Sequence, residues 1–208
     1  MKALKKLVLL SSIVLPFVTH AQDRSDRDEP TGFQKERLFT GGSVNVGFGN
    51  RQTILGITPQ FGYSITDWLD AGITVNFNYS SFRDYSVPRD KLRQTIYGPG
   101  AFVRVFPIRF LFASAQYEYN FINLKYIPAP NSGYTGDKYT SNASSFLVGG
   151  GYAGGRQKGN NTYYYFSVSW DILGDENSPY LDQYGRANPV IRAGYNIGLF
   201  QNRDRRRY

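Results

Sequence analysis

The stretch Thr162–Ile172 reads TYYYFSVSWDI. Its residues take turns: Tyr164, Phe166, Val168, Trp170 and Ile172 fall on one side of an extended chain, and Tyr163, Tyr165, Ser167, Ser169 and Asp171 on the other. A helix would scatter these two sets around its axis, so the period of two marks a strand with one apolar and one polar face. The same period recurs along most of the chain. Eight alternating runs can be read, at 38–49, 54–65, 69–82, 96–107, 109–122, 144–154, 162–172 and 189–200. Most are near a dozen residues. Strands of soluble domains are typically about 5–6 residues long, whereas a tilted strand crossing a bilayer needs about 9–11.

Alternation alone fits both a soluble sandwich and a membrane barrel, since each has one wet and one greasy face. The kind of polar residue separates them. The polar faces read Ser43, Asn45, Gly47; Thr58, Gln60, Gly62, Ser64; Thr74, Asn76, Asn78, Ser80; and Ser114, Gln116, Glu118, Asn120. They are small and mostly uncharged, and no lysine falls inside any of the eight runs. A soluble surface is commonly about 25–35% charged. Such faces suit a narrow interior where side chains fit together. The opposite faces, among them Val44, Val46, Ile57, Phe61, Ile73, Val75 and Phe77, are apolar, with tyrosines toward several strand ends. Trp68, Tyr164 and Trp170 are placed to anchor at lipid–water interfaces, ring in lipid and polar tip in water. The connections are uneven. Those at 83–95, 123–143 and 173–188 are long and lie on one side, while those at 66–68 and at 108, on the other, are tight.

Both ends look different from the middle. Lys2, Lys5 and Lys6 precede an apolar run from Leu7 to Val18, and Ala21 follows. This is the pattern of a cleaved secretory leader over 1–21, and its run of 12 is short of the ~20 residues a spanning helix needs. Residues 22–37 are charged and read as a flexible N-terminal segment, and 201–208 as a basic tail on the periplasmic side. Cleavage would remove three of the 24 basic residues, taking the formal charge from +8 to +5, and would remove His20, the one histidine. There is no cysteine. Thiolate chemistry, disulfides and cysteine metal clusters are thereby excluded, and histidine general-base catalysis with them. No cofactor, metal or catalytic residue is expected. Carboxylate pairs such as Asp67/Asp70 and Asp175/Glu176 sit in contexts where Asp favours the turn itself. GGGYAGG at 149–155 lacks the Lys-Ser/Thr of a phosphate loop, and its glycines read instead as room for a neighbouring ring. The basic charge does not imply nucleic acid, because it sits in loops and ends.

The leader, the eight runs, the tight turn SITDWLDAGITV (Ser64–Val75) and the closing strand PVIRAGYNIGLF (Pro189–Phe200) resemble the small outer-membrane barrels of the OmpA/OmpX type, over about residues 38–200. The resemblance implies an all-β, eight-stranded antiparallel transmembrane barrel in the outer membrane of a Gram-negative bacterium, with a non-enzymatic structural or interaction role: envelope integrity, surface binding, or a small subunit of a larger complex. A narrow or gated pore is the alternative, and a secreted soluble barrel holding a ligand is a third reading. Terminal strands of that family end in a lipid-facing aromatic, but here Phe200 falls on the parity opposite Tyr195 and Ile197. Five charges fall on the inward face: Asp70, Arg104, Glu118, Asp171 and Arg192. Charges in a narrow lumen should be paired. Sequence adjacency predicts Arg104 with Glu118 and Arg192 with Asp171. The cluster Arg83, Arg89, Lys91 and Arg93 is expected to contact outer-membrane lipids, lipopolysaccharide phosphates among them, or a partner protein of the outer membrane or periplasm. Tyr180 and Tyr184 are placed to fold over the barrel mouth or bind a partner.

Overall fold

The computed structural model describes residues 32–49, 52–130, 132–133, 135–182 and 184–201. The expected leader, residues 22–31 of the charged segment behind it and the tail from 202 onward lie outside the described residues. A 3-10 turn, Lys35–Arg37, leads into eight strands: β1 (Leu38–Gly49), β2 (Gln52–Ser64), β3 (Leu69–Arg83), β4 (Lys91–Ile108), β5 (Leu111–Ile127), β6 (Lys138–Gly154), β7 (Tyr163–Asp171) and β8 (Val190–Gly198). Each pairs antiparallel with the next. β8 returns to β1, with Phe39 opposite Gly198 and Val44 opposite Ala193, so no edge is left open.

The alternation of the sequence becomes an inside and an outside. On β3, Thr74, Asn76, Asn78 and Ser80 are buried, while Ile73 is 62% exposed and Val75 and Phe77 are exposed with it. The same holds around the barrel, where Val44, Ile57, Tyr117, Phe166 and Ile191 all point outward. An eight-stranded barrel is just wide enough for side chains to fill, and here large inward rings sit against inward glycines. A Cβ at Gly62 would meet the Phe39 ring, one at Gly151 the Phe112 ring, and one at Gly194 the Tyr165 ring. In the glycine-rich stretch of β6, Gly151 and Gly154 leave space for the rings of Phe112 and Tyr164, while Gly149 and Gly150 lie against neighbouring backbone.

Three strands run further than hydrophobic alternation predicts. β4 begins at Lys91 rather than 96, β5 continues to Ile127 rather than 122, and β6 begins at Lys138 rather than 144. The added rungs carry Arg, Lys, Asn and Thr on the outer face, so no apolar period marks them there; backbone pairing (Lys125 opposite Lys138, Arg93 opposite Lys125) holds them, with Leu124 packed on Ile96, Ile122 and Ala143 from the inside. Of the pair Asp67/Asp70, Asp67 lies in the 65–68 turn, while Asp70, inward by parity, is a fully buried strand residue of β3. The last strand stops at Gly198. Leu199 still donates its N–H to Leu38 at 2.8 Å, but Phe200 takes φ = 55° and swings out of register. That left-handed residue explains its wrong parity: it stands 63% exposed beyond the end of the ladder.

Candidate functional site

The tight turns 65–68 and 109–110 and the segment 155–162 share one end of the barrel, and the connections 84–90, 128–137 and 172–189 share the other. The turn end is closed by an aromatic plug. Phe106, Phe112, Tyr163 and Tyr165 are buried together with Ala153. Phe106 meets Tyr163 edge-on at 5.9 Å, and Phe112 meets Tyr165 in the same way at 6.1 Å. Each such pair contributes about 0.5–1.5 kcal/mol beyond its buried area. Into this plug the 155–162 segment inserts Arg156. Its guanidinium lies 3.7 Å from the Phe106 ring centroid, donates to the Asp67 carbonyl at 2.6 Å and pairs with Asp70 at 3.0 Å. Asp70 also accepts from Ser64 at 2.7 Å and from Tyr163 at 3.2 Å, so its carboxylate is satisfied without exposure.

The centre holds a second charge pair. Arg192 of β8 reaches across the lumen to Glu118 of β5 at 2.8 Å, and donates to Gln116 at 3.1 Å. Glu118, fully buried, also accepts from Gln116 at 2.7 Å and Asn76 at 3.3 Å. The loop end is closed from above. The connection 172–189 bends inward and sends Tyr180 down to Glu118, its hydroxyl donating at 2.6 Å. Ser178 of the same connection donates to Asp171 at 2.5 Å, and Asp171 further accepts the N–H groups of Phe146 and Leu173 at 2.9 and 3.0 Å. Asp175 accepts the Ser144 N–H at 3.0 Å. Between the two ends lies a cavity of about 20 Å³, with room for a water-sized occupant.

The adjacency pairings are therefore corrected. Arg104, Glu118, Asp171 and Arg192 all lie on the inward face, but Glu118 takes Arg192 rather than Arg104, and Asp171 is held by a serine hydroxyl and backbone N–H groups rather than by Arg192. The physical reason is reach. In a narrow lumen a long side chain meets the opposite wall as readily as its neighbour. Arg104 instead stacks between Phe102 and Tyr165, at 4.6 and 4.4 Å, and donates to Gln60 at 2.8 Å. Arg156 was not singled out in the sequence; its one signal is that segment 155–162 is longer than a hairpin at that end requires.

Outside, the anchor residues divide by end. Trp68 and Tyr164 stand exposed at the turn end, Trp170 at the loop end. The cluster Arg83, Arg89, Lys91 and Arg93 is split in two. Arg83 and Lys91 face each other across β3–β4, and Arg93 lies one rung lower, opposite Lys125, which is opposite Lys138 of β6. Lys125 and Lys138 are thus members of this rim that the sequence reading left out, because their strands were read as loop. All five side chains are exposed, and none has an acidic partner among the described residues. Arg89 belongs to the loop proper, with φ = 73° and its N–H bonded to Asp84 at 2.6 Å. The loop is held by Asp90, whose carboxylate collects the N–H groups of Tyr85, Ser86 and Val87 at 2.6, 2.9 and 3.0 Å and the Tyr126 hydroxyl at 3.0 Å. Burial alone would raise the Asp90 carboxyl, but these four donors hold it below the ordinary carboxylate range.

No group of three or more His, Cys, Asp or Glu among the described residues could hold a metal ion. No family model matches the chain, and no curated protein does. Among solved structures, the N-terminal β-barrel domain of Pseudomonas aeruginosa OprF aligns over 77% of this chain and 98% of that domain, with a TM-score of 0.42 and 11% identity.

Proposed function

We propose that the chain is a sealed, non-enzymatic barrel that spans the outer membrane of a Gram-negative cell and serves there as a structural or interaction element: envelope integrity, surface binding, or a small subunit of a larger complex. One observation carries this: on β3 the exposed Ile73, Val75, Phe77 and Tyr79 are apolar while the buried Thr74, Asn76 and Asn78 between them are polar, and the side chains exposed around the barrel at that height are apolar as well. Monomeric soluble proteins rarely expose contiguous apolar patches beyond a few hundred Å², and a lipid belt is the solvent that such a cylinder fits. The leader expected from the sequence at 1–21 suits that destination. The lumen favours a closed element over a pore, since the aromatic plug with Arg156 blocks one end and Tyr180 with Glu118 the other.

The basic rim supplies the partner. Moving up the outer face from Phe77, Tyr97 and Phe121, the next rung is Tyr79, Thr95, Asn123 and Thr140, and the one above it Ser81, Arg93, Lys125 and Lys138. Like charges directly opposite one another on adjacent strands are unfavourable on their own, so a row of three cations calls for shared anions. Phosphates of lipopolysaccharide, lying just above the hydrocarbon, fit that row. In planar bilayers with lipopolysaccharide in one leaflet, the protein should insert without discrete conductance steps; regular steps would instead support the pore alternative. In vesicles, lipopolysaccharide should raise the unfolding midpoint of the native chain more than that of the R93Q/K125Q/K138Q variant. Equal gains for both would remove the rim from the account.

A further inference from the structure

We infer that the central cavity of the lumen is a binding site for a monatomic anion, with chloride its natural occupant, held by Arg104. The inference is independent of whether the outer face meets lipid. Arg104 is 5% exposed and has no carboxylate within ion-pair distance among the described residues. One terminal nitrogen, Nη2, donates to Gln60; the other, Nη1, is buried without any hydrogen-bond partner. The nearby carboxylate, Asp70, sits opposite Arg104 in the β3–β4 register but is committed to Arg156, Ser64 and Tyr163. Two guanidiniums thus share one carboxylate at this level. Stacking on the rings of Phe102 and Tyr165 disperses the charge of Arg104 and does not neutralise it. A buried cation without a counter-charge costs several kcal/mol.

The cavity beside it is built for the missing partner. Two arginines, Arg104 and Arg192, line it, and no carboxylate does. Ser43, Thr58, Ser114, Ser167 and Ser169 also line it, and none of these hydroxyls has a partner among the described residues, so all five are free to donate inward. At about 20 Å³ the space admits one water-sized body. Arg104 brings one uncompensated positive charge, and a halide is the monovalent anion that can accept from hydroxyl and guanidinium donors on every side. A water would satisfy the hydroxyls but would leave the charge of Arg104 uncompensated; an anion satisfies both.

The test is refolding and unfolding of the full chain in detergent at constant ionic strength, exchanging sodium gluconate for sodium chloride or bromide. Above half-saturation, each tenfold rise in halide should raise the folded-to-unfolded ratio about tenfold, as one site linked to folding requires. The R104M variant, which keeps the hydroxyls and loses the cation, should show no difference between gluconate and halide. Should that variant fail to fold, crystals of the native chain grown in bromide decide the matter: an anomalous peak in the cavity within contact of the Arg104 guanidinium supports the site. Equal stability in gluconate and chloride, a halide gain retained by R104M, or a bromide crystal with no peak in the cavity would each overturn it, the occupant then being water.

Discussion

Glu118→Ala should lower the unfolding free energy by about 3–5 kcal/mol, the range for removing one partner of a buried ion pair. Five groups converge on this carboxylate: Arg192 at 2.8 Å, Tyr180 at 2.6 Å, Gln116 at 2.7 Å, Asn76 at 3.3 Å and Asn120 at 3.4 Å. Alanine would leave the Arg192 guanidinium, 9% exposed at its side chain, without a counter-charge, and the Tyr180 hydroxyl with one fewer partner. Both costs fall on one site, so the loss should exceed that of any single outward substitution to alanine. The paired replacement Glu118→Leu with Arg192→Met removes the orphaned charge and should recover most of the loss, since buried pairs exchange for apolar residues at little net cost. Denaturant unfolding followed by the fluorescence of Trp68 and Trp170 reads both variants. A loss under about 1 kcal/mol for Glu118→Ala, in the range of an exposed pair, would show that the pair is solvated and the lumen open. Because Tyr180 ties the 172–189 connection to this carboxylate, the same substitution should also increase amide exchange in that connection.

The second large effect belongs to the opposite face. Ile73 lies midway along β3 between Trp68 and Tyr79, is 62% exposed and has no polar neighbour opposite it, since Phe61 and Ala101 are its register partners. In phospholipid vesicles Ile73→Arg should cost about 2–4 kcal/mol, the penalty for a cation at the midplane of a barrel's lipid face. On a water-facing strand the same exposed substitution would stay within about 0.5 kcal/mol. Placing arginine at Ser81 instead, on the rung that already carries Arg93 and Lys125, should cost far less, because there the guanidinium reaches the headgroup layer. Equal costs at 73 and 81 would contradict a graded, lipid-facing surface.

These two faces also explain how far the sequence alone could be read. Tyr164 to Ile172 and Ile73 to Tyr79 announce strands because their two sides meet different surroundings, and that difference writes a period of two into the residues. Where the outer side is no longer apolar the period fades. Residues 91–95, 123–127 and 138–143 are strand held by backbone pairing, yet their Lys, Arg, Asn and Thr read as loop, and Lys125 and Lys138 were lost from the basic rim with them. Parity placed Arg104, Glu118, Asp171 and Arg192 inside, because facing is a local property of a strand. Partner choice is not local. Arg192 passes over two intervening strands to reach Glu118, and Arg156 turns back from a connecting segment to meet Asp70. Those distances depend on the closed diameter of the barrel and on which connections fold inward, neither of which leaves a spacing in the chain.

The central claim is that the apolar outer face of the barrel lies against lipid. The chain contains no cysteine, so a spin label attached to a single introduced cysteine reports one position only. Labels at Ile73, Val75 and Phe77, and at Ser86 in the 84–90 connection, should be compared in phospholipid vesicles for collision with oxygen, which concentrates in hydrocarbon, and with a water-soluble nickel chelate. The expected result is high oxygen and low chelate accessibility at 73, 75 and 77, with the reverse at 86. Chelate accessibility at 73, 75 and 77 equal to that at 86 would place this face in water and contradict the membrane-spanning barrel.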